Sequence, residues 1–282
     1  MKLHERCDAA WQKFTERIRL RQKNDARLLV LAAHPDDESI GASVLLPTFT
    51  SYVAYLTDGA PRDPRLWTGG PHGSRQGYST LRCAEALRAL QLAMVPGERI
   101  VWLGGIDQET VGKIGELTRK LVALLLELKP DLLVTHPYEG GHPDHDTAAL
   151  VAHNALQQIP ASGSPVLIEM TSYRACDGVC VTGEFLSFES VPELVIELSN
   201  SEKERKRAML AAHESQQVVL GRFHVDCELF RPVPHYDFTK APHHGKLWYE
   251  CMGWPLTGED WRREALAYVA GSAQSMQSYS CG

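Results

Sequence analysis

LLVLAAHPDDESIGA, residues Leu28–Ala42, decides how the rest of the chain is read. The apolar run Leu28–Ala33 has the composition of a buried strand. It stops at His34-Pro35 and three consecutive acids, Asp36, Asp37 and Glu38, after which small residues and Ile40 suit the start of a helix. Open α/β sheets place their chemistry where a strand passes through a turn into a helix N-terminus. Helix capping and the positive end of a helix explain one or two acids. They do not explain a histidine at a strand end together with three carboxylates. The stretch is therefore a candidate functional site, with Glu38 in a capping or supporting place.

A second stretch repeats the pattern. Asp131–Thr135, DLLVT, predicts another buried strand and runs into His136-Pro137-Tyr138-Glu139-Gly140-Gly141. His142-Pro143-Asp144-His145-Asp146 follows, then an alanine-rich helix to about Gln157. Pro143 suits the first position of a helix, where its missing N–H costs nothing. His142 and His145, three apart near a helix start, can be directed to one side. If the two strands are near neighbours in a parallel sheet, both turns lie on its carboxyl edge. Two histidines and one carboxylate, with a position left for water, are a composition typical of catalytic zinc. The alternative is that the two histidines only bond loop carbonyls. His136 is open between substrate contact, core hydrogen-bonding and metal ligation.

Between and beyond these stretches strands alternate with helices. Strands are expected at Tyr52–Leu56, Arg99–Leu103, Val166–Met170 and Glu193–Ser199. Helices are expected over residues 1–23, where Trp11, Phe14 and Ile18 recur at helical spacing, and over 79–92 and 111–128. A further helix spans 201–219, opened by a Ser201/Glu204 capping box. The Pro-, Gly- and Arg-rich segment 60–77 is a long loop of the kind that binds ligands or closes over them. This order predicts an α/β fold with a mostly parallel sheet covered on both faces. Residues 1–26 form an amphipathic helix, 27–220 the core, and 221–282 an irregular, aromatic-rich C-terminal cap and tail of the same domain, frayed after residue 271.

Composition narrows the classes. With 44% hydrophobic and 23% charged residues the chain is an ordinary globular protein. A net charge of −6 gives no electrostatic reason to expect nucleic acid or an anionic membrane as partner. No apolar run approaches membrane-spanning length, and the first residues lack the apolar core of a signal peptide. Seven scattered cysteines suit a reduced, cytoplasmic protein. Cys176 and Cys180 lack a second pair and make a weak zinc signal. The oligomeric state is not set, and a homo-oligomer is open.

His34-Pro35-Asp36-Asp37-Glu38 taken with His142-Pro143-Asp144-His145 resembles the PIG-L/LmbE family of zinc-dependent N-acetylglucosaminyl deacetylases, over roughly residues 27–170. The resemblance implies a Rossmann-like core and one Zn²⁺ per chain, with Fe²⁺ compatible, held by His34, Asp37 and His145. It implies Asp36 as general base, His142 as oxyanion stabiliser and Asp144 as the carboxylate that orients and charges it. Arg82 and Asp107 would contact the sugar. Gly140 stands where some members carry a mobile tyrosine, a place that Tyr138 or Tyr236 would have to fill, with Tyr138 the expected substrate contact. The implied reaction is removal of an N-acetyl group from an amino sugar or glycoconjugate. An amidase acting on a larger amide of a thiol–sugar conjugate, and a metal- or sugar-binding module, are the alternatives. Trp67, Trp248 and Trp254 offer faces on which a sugar can stack, and the cap histidines His235, His243 and His244 are open as substrate contacts.

Overall fold

The expected strands meet in one seven-stranded sheet, seen in a computed structural model that describes residues 3–279, with side chains described for 9–271. The first half of the chain supplies α1 (Leu3–Leu20), β1 (Arg27–Ala32), α2 (Asp37–Gly41), β2 (Thr50–Thr57), α3 (Arg75–Leu92) and β3 (Ile100–Gly105). It continues through α4 (Ile114–Leu128), β4 (Leu132–Thr135), α5 (Pro143–Gln157) and β5 (Val166–Met170). The rest comprises β6 (Tyr173–Cys176), β7 (Val179–Thr182), β8 (Leu194–Glu197), α6 (Asn200–Ala212) and α7 (Gln217–Leu220). β9 (Cys227–Pro232), α8 (Trp248–Cys251) and α9 (Gly258–Tyr279) complete it. None of the described helices is long and apolar enough to cross a membrane.

Strand order is β3-β2-β1-β4-β5-β9-β8. The first five strands pair in parallel, and β9 runs antiparallel to both β5 and β8. β1 lies between β2 and β4, with Leu28 opposite Leu132 and Val30 opposite Val134. The chain therefore builds outward from β1 on one side and then returns to β1's other side. That reversal opens a crevice at the carboxyl ends of β1 and β4, the place where doubly wound sheets bind ligands.

Alternation along β1 explains its unbroken apolar sequence. Leu28, Val30 and Ala32 join a layer with Phe14 and Ile18 of α1, Leu90 of α3 and Met209 of α6. Leu29 and Leu31 face the opposite layer, with Leu121 of α4, Ala152 of α5 and Trp261 of α9. Side chains of a strand alternate between faces, so burial on both sides leaves no polar position. The predicted α/β class with helices on both faces is what the structure shows.

Several boundaries differ, each for a tertiary reason. The β6–β7 hairpin and β9 were not expected. The cap expected from residue 221 is in part sheet, since β9 lies inside it and Pro232 falls at its last residue, where a proline is tolerated. α9 packs Trp261 and Ala265 into the core and remains helical to Tyr279, where fraying was expected; residues 280–282 lie outside the described set. α3 begins earlier, with the Ser74 hydroxyl accepting from Gly77 N–H. The capping box is Ser199/Glu202 rather than Ser201/Glu204. The single helix expected over 201–219 is two, separated by a tight turn at Glu214–Gln216. There Ser215 donates its N–H (2.8 Å) and hydroxyl (2.6 Å) to the buried Glu85 carboxylate, which diverts the chain from the helix.

Candidate active site

Backbone at the end of β1 sets the first half of the site. Ala33 donates its N–H to His136 Nε2 at 3.1 Å and accepts from the Thr57 hydroxyl at 2.9 Å, so the neighbouring strands hold the strand end from both sides. The turn closes when His34 N–H donates to Asp37 Oδ2 at 2.7 Å. Asp36 adopts φ 154° and ψ −24°, a conformation rare for a side-chain-bearing residue and of a kind that clusters at functional sites. Asp37 then faces three imidazoles: His34 Nδ1 at 3.4 Å, His145 Nε2 at 3.2 Å and His136 Nε2 at 3.3 Å.

The second half comes from the start of α5. His34 and His142 rings lie 4.3 Å apart, and His34 and His145 rings 5.3 Å apart. The two sequence-distant corners thus converge. Asp144 sits differently from the expectation. Its carboxylate faces His34 Nε2 at 3.1 Å and accepts from Gln108 N–H at 2.6 Å and from the Thr110 hydroxyl at 2.5 Å. What it gives His142 is its backbone N–H, donated to Nδ1 at 3.1 Å. A ring that accepts at Nδ1 carries its proton on Nε2 and is neutral. Burial, together with the nearby His34, also pushes the His142 pKa well below its ordinary value. The Asp144 carboxylate, 3.8 Å from Nδ1, opposes that shift without overcoming it.

His34, Asp37 and His145 offer one ligand atom each, all within 4.8 Å of one another. His145 Nε2 is buried without a hydrogen-bond partner, although Asp37 Oδ1 lies 3.2 Å away. Donor atoms on a tetrahedral zinc stand about 3.3 Å apart, given metal–ligand distances of about 2.0–2.1 Å. Two lone-pair donors at that spacing with no proton aligned between them fit a cation's coordination edge. Charge agrees: Asp36, Asp37, Asp107 and Asp144 gather here, and Arg82 pairs with Asp36 among them. Burial opposes a charged His34, yet Asp107, Asp144 and Asp37 hold its pKa well above the ordinary value. Burial would likewise raise Asp37, but His145 and His136 keep it well below the carboxylate range. The donor set fits a divalent ion. In that arrangement Asp144 and Asp107 support His34 from its far nitrogen, as carboxylates behind metal-bound histidines do.

Asp36 is buried and accepts from Arg82 Nη2 at 3.1 Å, with the same nitrogen donating to Pro35 O at 2.9 Å. Burial raises its carboxyl to about 7, with Arg82 opposing and Asp37 reinforcing the shift. Arg82, expected on the sugar, thus holds Asp36, although it also lines the cavity. That cavity, about 340 Å³, also takes in His34, Asp37, Asp107 and His142. Asp107 Oδ1 has no hydrogen-bond partner and lies 3.6 Å from His142 Nε2. A larger surface hollow of about 610 Å³ beside Arg21 and Glu202 gathers no such groups.

Other expected contacts are elsewhere. Tyr138 is buried in the apolar layer against Trp261 and donates its hydroxyl to Lys240 O at 2.9 Å, so it does not line the cavity. The packing of α9 takes it there. Tyr236 is engaged by Arg231, and Trp67 bonds Pro61 O to shape its own loop. The cap histidines are not among the lining residues, whereas Trp248 and Trp254 are. Two tyrosines do line the cavity, Tyr78 of α3 and Tyr173 of β6, and the Tyr173 ring lies 5.1 Å from His145. The sequence carried one trace of it: Gly141 lies so close to the Tyr173 carbonyl that no Cβ fits.

A parallel α/β sheet with a buried His/Asp cation site at its reversal point defines the broad class. Within it, residues 29–156 match the sequence profile of PIG-L, GlcNAc-PI de-N-acetylase. A 1D-myo-inositol 2-acetamido-2-deoxy-alpha-D-glucopyranoside deacetylase of Salinispora arenicola is 28% identical over 171 residues, covering 49% of this chain and 53% of that one. The chain spans about half the length of such curated relatives. Among solved structures, a deacetylase of teicoplanin biosynthesis superposes with a TM-score of 0.57 at 16% identity, over 75% of this chain and 99% of that one. The 4-carboxy-2-hydroxymuconate hydratase of Pseudomonas putida KT2440 superposes with a TM-score of 0.51 at 14% identity, over 75% and 98%. A deacetylase and a hydratase share the architecture, so the likeness shows the fold and leaves the chemistry to the residues.

Proposed function

We propose that the chain hydrolyses the N-acetyl amide of an amino-sugar conjugate, giving acetate and a free amine. The observation that carries this reading is the convergence of His34, Asp37 and His145 with an arginine-held Asp36 and a neutral His142 on one cavity. The named activity of the Salinispora relative supports an N-acetylglucosaminide as the substrate class.

One divalent cation, zinc or iron(II) by the donor types, would be held by His34, Asp37 and His145. Such an ion supplies Lewis acidity, polarising an amide carbonyl and lowering the pKa of a water. Asp36 takes the proton of the attacking water on Oδ1, the oxygen not engaged by Arg82, and later delivers it to the departing amine nitrogen. His142 donates from Nε2 to the carbonyl oxygen as charge develops there. Asp107 accepts from a sugar hydroxyl, and Trp248 and Trp254 offer faces to the ring.

The test is a panel of N-acetylated amino-sugar conjugates incubated with metal-loaded and chelated protein, with amine and acid products measured together. Amine and acetate in equal amounts, lost on chelation and restored by zinc, is the expected result. Release of an acid larger than acetate would make the protein an amidase. Metal binding with no amine from any conjugate would leave a binding module.

A further inference from the structure

Away from the His/Asp cluster the cavity changes character. Its mouth is formed by Leu66 from the 60–77 loop, Val218 and Val219 of α7, Phe223 beyond it, and Trp248 and Met252 at α8. Several of these apolar side chains stay in solvent: Val218 is 75% exposed, Met252 49% and Val219 38%. Scattered exposed apolar residues need no explanation, but several from separate elements gathered on one cavity mouth mark a binding surface.

Their placement is built. The turn before α7 is fixed by Glu85 through Ser215, and Gln216 donates to Tyr78 Oη at 2.7 Å. The loop carrying Leu66 is tied to that turn by the Thr68 hydroxyl on Ser215 O, and Gly69 lies too close to Ser215 for any side chain. α8 is held by Trp248 N–H on Gly140 O at 2.8 Å, directly beside the His142 loop. The cluster end is closed, since His34, Asp36, Asp37, His142 and His145 are all buried. An acetyl group fits a closed end, so the remainder of a substrate must leave through the mouth.

We propose that this rim is a subsite for an uncharged apolar group, alkyl or aryl, carried by the sugar on the side away from its N-acetyl amide. The inference rests on the deacetylase reading for the sugar's orientation. Arg65 and Arg222 also line the mouth. Arg65 is engaged by Asp63 through Nε at 2.9 Å, which leaves Arg222 as the guanidinium that would favour an anionic group instead. The apolar residues outnumber it and come from three elements, so the uncharged group is favoured.

The experiment compares octyl and methyl N-acetylglucosaminides, below the micellar concentration of the former. Binding to the metal-loaded protein is followed by tryptophan fluorescence, since Trp248 and Trp254 line the cavity. We expect the octyl glycoside to bind at least about tenfold more tightly, about 1.4 kcal/mol. The double variant Val218→Ser/Met252→Ser, altering two exposed positions that folding does not need, should bring the ratio close to one. Equal binding of the two glycosides overturns the inference, as does a gain that survives the double substitution. A gain seen with N-octanoylglucosamine and not with the octyl glycoside overturns it too, as does tighter binding of a phosphorylated aglycone. Tight octyl binding without acetate release would sink the reaction and leave the rim. Acetate release without chain-length dependence would sink the rim alone.

Discussion

The parallel half of the sheet and the antiparallel remainder divide the labour of this molecule unequally. The turn after β1 and the start of α5, which follows β4, deliver every residue of the proposed cation site and its base. The segments after β5 deliver none of these. They contribute Tyr173, the rim at α7 and α8, and the braces that hold the His142 loop. The proposed reacting groups thus sit at the carboxyl edge of the parallel strands, while much of the outer wall comes from a hairpin and short helices.

That division breaks most sharply at Asp36. Asp36→Asn should lower turnover by about 10²–10⁴ while metal content, measured by elemental analysis, stays near one ion per chain. His145→Ala should lose the ion instead. Equal turnover in Asp36→Asn would remove it as the base and erase the contrast.

The next effect lies in the antiparallel part. Arg231 of β9 is fully buried, its Nε 2.7 Å from Glu169 and its Nη2 3.0 Å from Glu139 in the His142 loop. Arg231→Met leaves both carboxylates without their cation and should cost about 3–5 kcal/mol of stability by urea denaturation. A loss below about 1 kcal/mol would mean that the loop does not depend on this brace.

The same cluster predicts a pH dependence. Burial pushes the Glu169 carboxyl up to about 8 and that of Glu139 to about 7, with Arg231 pulling the other way. One guanidinium between two buried acids leaves a proton on the pair. From the ordinary value of 4.5 up to about 8, the folded state therefore holds protons that the unfolded chain has released. Stability from this source is fully present below that window and falls as pH rises through it. Glu169→Gln should flatten the slope in denaturation midpoints across the window, and an unchanged slope would place the titration elsewhere.

The smallest effect concerns Trp261, whose indole N–H donates to Pro143 O at 3.1 Å and to the Thr147 hydroxyl at 3.0 Å. Trp261→Phe keeps most of the buried surface and should cost about 1 kcal/mol. If turnover fell much further than stability, α9 would be positioning His142 and the two halves would be less separate than argued.

These differences also explain what the sequence could disclose. Strands buried on both faces have continuous apolar runs, and the residue types able to hold a cation are few, so β1, β4 and both corners were legible. β9 was not, because Arg231 looks like a surface residue until Glu139 and Glu169, 92 and 62 positions away, are known to face it. The split of α6 from α7 is equally non-local, resting on Glu85 130 positions earlier. Asp144 shows the same limit: the resemblance assigns its carboxylate to His142, and only the fold shows it nearer to His34, at 3.1 Å from Nε2 against 3.8 Å from His142 Nδ1.

The turn at Glu214–Gln216 has one more consequence. It is anchored at its base by Glu85 and Tyr78 of α3 and by Thr68, while Val218 and Val219 beyond it face outward. Positions 218 and 219 are therefore interchangeable: other side chains there, with Glu85, Ser215 and Gln217 retained, would retarget the entrance and leave the reacting groups untouched.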